Sequence, residues 1–306
     1  MERLSSSIRV ATSLILLAIA LLGAANPAEL LGRDVFVDNV SGDDRRDGSA
    51  PEVAGERAGP CRSISRGLQL VEPGDRLVLA NHGEPYRESV TLQAARHSGT
   101  TGRPFEIVGN GAMLDGRQPV SGDAWEHYSG DVYGFHPRRM AHLMLYLNNK
   151  PAIRHPDDGE TKPTQLNVFE WTVFRGQVYF RTEKDKTPRD YTITCTALPV
   201  GVTLYDVHDV LIRDLVVQGF QLDGINAHDN VVDANLLRVT SRGNGRSGIS
   251  VCGASQVRMD KCLLGDNGLA QLRSEGYSKT ELNNCDVIDN SAPGVVREGG
   301  LVTMSP

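Results

Sequence analysis

"SGISVCGASQVRMDKCLLGDNG" (residues 247–268) is followed by a stretch that repeats its pattern in different letters. Ile249 aligns with Leu272, Val257 with Thr280, Met259 with Leu282, Cys262 with Cys285, Leu264 with Val287 and Asn267 with Asn290, each 23 residues on. Positions spaced 2, 3 and 2 apart recur as Val210, Ile212, Leu215, Val217, then Val232, Ala234, Leu237, Val239. They continue as Val257, Met259, Cys262, Leu264 and Thr280, Leu282, Cys285, Val287. A second marker recurs as Gly224-Ile225, Gly248-Ile249, Gln271-Leu272 and Gly294-Val295. A spacing of two sets alternate side chains on one face of a strand, and the intervening three marks a bend. Neither the helical spacing i, i+3, i+4, i+7 nor the Leu-x-x-Leu-x-Leu frame of leucine-rich repeats is present. The pattern therefore predicts a coil of short strands, each turn stacked in parallel on the last at about 4.8 Å. One turn cannot bury its own apolar face, so only inwardness and volume need to recur.

Asn244, Asn267 and Asn290 keep the same step at a bend, which predicts an internal ladder of stacked amides. Cys262 and Cys285 fall in one interior column and read as small apolar fillers, with a disulfide as the alternative. The five cysteines are odd in number and none has C-x-x-C spacing, so neither a zinc site nor a disulfide scaffold is expected.

With 306 residues, 40% of them hydrophobic, the chain suffices for one large domain or two ordinary ones. "LILLAIALL" (14–22), after Arg3 and Arg9 and before Gly23 and Ala25, reads as a secretory signal cleaved after Ala25. The run is too short for a membrane span, so a secreted or periplasmic protein with no membrane association after cleavage is expected. Loss of Arg3, Arg9 and Glu2 takes the formal charge from −6 to about −7, which argues against nucleic acid as a partner.

Residues 200–298 resemble the right-handed parallel β-helix proteins of the pectin-lyase-like superfamily. So do "VFVDNVSGDDRRDGSA" (35–50) and "PCRSISRGLQLVEPGDRLVLANHGEPYRESV" (60–90), similar to the opening of many secreted β-helix proteins. The resemblance implies an all-β fold, a solenoid of ~23-residue coils whose open end is covered by an N-terminal cap helix. Ile64, Leu68 and Val71 give that helix one apolar face. Leu77/Leu79, Val90/Leu92 and Phe105/Ile107 alternate as strands do. The resulting division is a signal peptide (1–25), cap and first coils (26–116), an inserted β-rich subdomain (117–200) and the repeat coils (201–306).

The insertion does not keep the period. "HLMLYLNNKPA" (142–152) and "EWTVFRGQVYFRT" (170–182) each read as strand, tight turn, strand. Its aromatic residues suit sugar stacking or a small core of their own; Trp125 is a candidate of the first kind, Trp171, Tyr179 and Phe180 of the second.

Outward side chains of one strand column form a flat ladder along the coil. Counting from the markers places Asn226, Ser250, Arg273 and Val296 at the first outward position. His228, Cys252, Glu275 and Glu298 follow at the next, with Tyr205 one rung before. Glu275 and Glu298 are thus expected about one rung, ~5 Å, apart, a separation that suits a retaining glycosidase. Arg273 is placed to orient a carboxylate or sugar hydroxyl, with Asn226 and Tyr205 as substrate contacts. The competing enzyme is a polysaccharide lyase acting on uronates through His228 and Arg273. A non-catalytic binder of polysaccharide or cell-surface glycan is the third reading, and solvated charges on an exposed sheet would explain the same residues. No cofactor is expected. Asp43, Asp44 and Asp47 could draw calcium, but they depart from the EF-hand frame and suit an ordered loop.

Overall fold

The computed structural model describes residues 32–139, 141–155 and 162–306. The apolar leader expected over residues 1–25 lies outside these residues. Arg33–Pro306 forms one compact unit, and no helix among the described residues is long and apolar enough to cross a membrane.

Three parallel sheets wrap a common core. The first stacks Asp34–Val37, Arg76–Leu79, Phe105–Val108, His208–Arg213, Val232–Leu237 and Gln256–Asp260, then the second half of Ala270–Asn283. The second stacks Val90–Gln93, Val202–Tyr205, Asp223–His228 and Ser247–Val251, then the first halves of Ala270–Asn283 and Val295–Ser305. The third holds Met113–Asp115, Val216–Gln218, Thr240–Arg242, Leu263–Gly265 and Asp286–Val287. Each coil visits the second, first and third sheets in that order. Register is kept from rung to rung: Val202, Ile225, Ile249, Leu272 and Val295 lie over one another. All but Val295 are buried in the continuous apolar core.

The bend that gives the spacing of three has a backbone cause. Asn110, Asp214, Arg238, Lys261 and Asn284, one per coil, take positive φ between 50 and 56°. A single left-handed residue turns the chain from the first sheet into the third. The 2-3-2 frame therefore runs Ala234, Leu236, Val239, Ser241 in the coil that begins at Asp223, not Val232, Ala234, Leu237, Val239: Val210 pairs with Ala234 and Val217 with Ser241. The step there is 24, and the fourth inward position is the polar Ser241, whose hydroxyl is buried and donates to Gly248 O at 2.7 Å. An apolar search slides past such a residue.

The amide column also differs from expectation. Asn244 Nδ2 donates to Asn267 Oδ1 at 3.0 Å and Asn267 Nδ2 to Gln271 Oε1 at 2.8 Å. Gln271 therefore fills the next slot, while Asn290 turns outward to Asp266. The thiols do stack, with Cys262 N donating to Cys285 Sγ at 3.4 Å, and all five cysteines are free. The adjacent Cys285 sulfur and burial push the Cys262 thiol up. Arg297 keeps the inward register over Ser274 but stays exposed, reaching Val302 O.

The helix Ile64–Leu70 starts at Ser63, whose hydroxyl accepts from Arg66 N, and buries Ile64, Gly67 and Leu68. In the loop before it, Asp43 is bonded to Arg45, Asp44 to Arg62 N and Ser63, and Asp47 to Ser49. Each carboxylate thus serves a protein group.

Between Met113–Asp115 and Val202–Tyr205 the chain leaves the coil. One sheet orders Lys150–Pro151, Leu145–Leu147, Ile193–Thr196 and Arg117–Pro119; the other orders Ile153–Arg154, Glu170–Phe174, Gln177–Arg181, Val132–Phe135 and Glu126–Ser129. Asn148-Asn149 and Arg175-Gly176 turn their hairpins with two positive φ angles each. Phe135, Leu145, Trp171, Val178, Phe180 and Ile193 belong to a separate hydrophobic cluster there.

Candidate functional site

The second sheet places two outward columns side by side. Thr203, Asn226, Ser250, Arg273 and Val296 are paired rung to rung, as are Tyr205 with His228 and Glu275 with Glu298. Cys252 continues the latter column, its N–H donating to Ala227 O.

Register thus brings Glu275 and Glu298 together, and Arg273 binds both. Its Nη1 lies 3.4 Å from Glu275 Oε1 and 3.0 Å from Glu298 Oε1, so the two oxygens are no farther apart than the sum of those distances. The Arg273 side chain is only 13% exposed, Glu275 29% and Glu298 58%. The cation is therefore held in the floor with the carboxylates above it, and its Nε is buried without a partner.

At the edge of the same sheet lies a pair the period did not reveal. Asp223 has no exposed surface, and Arg246 grips it through Nε at 2.9 Å and through Nη2. This bond raises the Arg246 pKa. Arg246 also feels the charge of Glu275, which sets the pair within electrostatic range of the glutamates. Burial, chiefly, pushes the Cys252 thiol up. A signal did exist: Asp223 and Arg246 are opposite charges 23 residues apart. His142, from the insertion, lies within electrostatic range of Arg246, Asp223, Arg154 and Arg273. Burial first, and then the Arg246 charge, lowers its pKa. No periodic signal could have found it.

The remaining candidates are not gathered there. His228 lies two rungs before Glu275 and contacts Asp229 at 3.5 Å. Tyr205 is 45% exposed, the same Asp229 carboxylate raises its pKa, and its ring is 6.1 Å from that of His228. His228 stands two rungs before Arg273, in the neighbouring outward column. Trp125 packs edge-on against Phe135, 4.6 Å between centroids, and tilted against Phe180. Its ring packs against the insertion's core and is partly exposed. Among the described residues, no group of three His, Cys, Asp or Glu side chains is arranged to hold a metal ion.

Residues 193–305 match the family model described as "Right handed beta helix region". The fold is a right-handed parallel β-helix. A solved "Glycoside hydrolase" superposes on this β-helix with a TM-score of 0.60 at 10% identity, covering 82% of this chain and 72% of that one. XylC in complex with xylose gives 0.43 at 10% identity, covering 88% and 68%. Pectate lyase Pel9A gives 0.43 at 11% identity, covering 83% and 53%. A comparison with curated proteins finds no match.

Proposed function

We propose that this β-helix is a secreted or periplasmic glycoside hydrolase acting on a polysaccharide or cell-surface glycan, with Glu275 and Glu298 as its paired carboxylates. The observation that carries the reading is their stacking on neighbouring rungs over one guanidinium nitrogen. Their spacing accommodates the ~5–5.5 Å of a retaining mechanism, in which one carboxylate attacks and the other transfers protons. Glu275 is the less exposed of the two and lies within range of the Arg246 charge as well as that of Arg273, which suits the nucleophile. Glu298 is the more exposed and open to water, which suits the acid/base. Glu298 gives its proton to the glycosidic oxygen as Glu275 bonds to the anomeric carbon. It then takes a proton from the water that displaces Glu275. Asn226 lines the floor of the groove. The leader-like residues 14–25 support export, and the solved glycoside hydrolase of similar fold makes this reaction class the first to test.

The test is digestion of a polysaccharide panel, read by reducing ends and by absorbance near 235 nm. Reducing ends without the absorbance are expected; both together indicate elimination, and neither leaves binding alone. Glu275→Gln and Glu298→Gln should each lower kcat about 10²–10⁴-fold. Hydrolysis surviving in both variants would remove the assignment.

A further inference from the structure

The insertion is fixed to the coil where the groove begins, through contacts that require glycine. A Cβ built on Gly245 would overlap the carbonyl oxygen of His142, and one on Gly243 would overlap the Tyr146 hydroxyl. That hydroxyl donates to Gly243 O. One coil on, a Cβ on Gly268 would come 3.4 Å from Met144 Sδ. Residues 142–146 therefore rest directly on one corner of two successive coils. Gly245 is followed by Arg246, so the His142 backbone is set next to the Asp223–Arg246 pair, whose charges reach its imidazole. Ser250, outward on the second sheet, has no accessible surface, so the floor there is covered. Among the described residues the imidazole of His142 makes no hydrogen bond, although it is partly buried.

We propose that the insertion forms one wall of the groove and that His142 binds a hydroxyl of a neutral sugar unit next to the carboxylate pair. The proposal rests on the glycosidase reading above. A neutral imidazole both donates and accepts, which matches a sugar hydroxyl. The charged groups around it are already engaged. Arg246 is bidentate on Asp223, and Arg273 is shared by Glu275 and Glu298. Arg154, the other cation near His142, stacks on Trp171. A uronate carboxylate would have to compete with Glu275 and Glu298 for Arg273, whereas a hydroxyl needs no such exchange. The lowered proton affinity of His142, set first by burial, keeps the imidazole in the form this contact uses.

Binding can be measured apart from hydrolysis in the full chain carrying Glu275→Gln. Titration calorimetry with neutral oligosaccharides and with uronate oligosaccharides is the experiment. The neutral series is expected to bind more tightly at low salt. Adding His142→Ala should weaken it at least tenfold without moving the thermal midpoint, and His142→Gln should recover part of the loss. Unchanged affinity in His142→Ala, or tighter binding of uronates, would overturn the proposal while leaving the carboxylate assignment untouched. Hydrolysis surviving in both glutamine variants, with the His142 effect present, would do the reverse. No binding of either series would overturn both.

Discussion

Asp223 is a carboxylate with no contact to water, and Arg246 compensates its charge. Arg246→Met should therefore cost about 3–5 kcal/mol, because it leaves a buried charge unpaired. Urea denaturation checks this; Asp223→Asn with Arg246→Met should cost less than the sum of the two single changes. His97 is another residue whose state the fold dictates. Gln93 N–H donates to its Nδ1 at 2.9 Å and its Nε2 faces Leu68 O at 3.0 Å, so the ring is neutral with the proton on Nε2. Burial, foremost, lowers its pKa from 6.5. The unfolded chain thus takes up the proton first. Stability is full above pH 6.5 and is lost as pH falls through the folded value. Denaturation midpoints from pH 7.5 to 5 should fall for the wild type and fall less for His97→Gln. His97 was not legible in the sequence, since a lone His carries no periodic mark, whereas Asp223 was marked by Arg246, an opposite charge one 23-residue step on.

The strands and bends show where a pattern search succeeds and where it slips. Inward positions were legible because a parallel stack repeats them at one step, and Asn148-Asn149 and Arg175-Gly176 announced their hairpins through residues that tolerate positive φ. The search slipped where polar residues occupy inward slots, at Ser241 and Gln271, because their burial depends on partners in other coils. The amide column has measurable worth. Asn267→Ala would strand the buried Asn244 backbone N–H and remove the bonds to Asn244 Nδ2, Ser241 O and Gly265 O, at about 1–3 kcal/mol. Asn290→Ala, at an exposed bond to Asp266, should cost less. The left-handed corners give a change of opposite sign. Lys261 occupies a position that Asn110 and Asn284 fill in other coils, so Lys261→Asn should stabilise by up to about 1 kcal/mol in the same denaturation assay.

Across the whole molecule, the proposed groove draws on two kinds of sequence. Its floor belongs to the repeat, and from Asn226 to Glu298 it was legible as soon as the step was known. Its proposed wall belongs to the insertion, where no step exists, so His142 was invisible until the chain was folded. The core is shared by all coils: Leu236, 1% exposed, packs between neighbours before and after it. Leu236→Ala should cost about 2–5 kcal/mol, measured by loss of denaturant midpoint. The unbroken register has a further consequence. Successive coils offer their contacts at one fixed pitch, like teeth on a rack. A polymer laid along the rack stays in phase only while its own repeat keeps step, so each added unit should gain less affinity once the mismatch has accumulated.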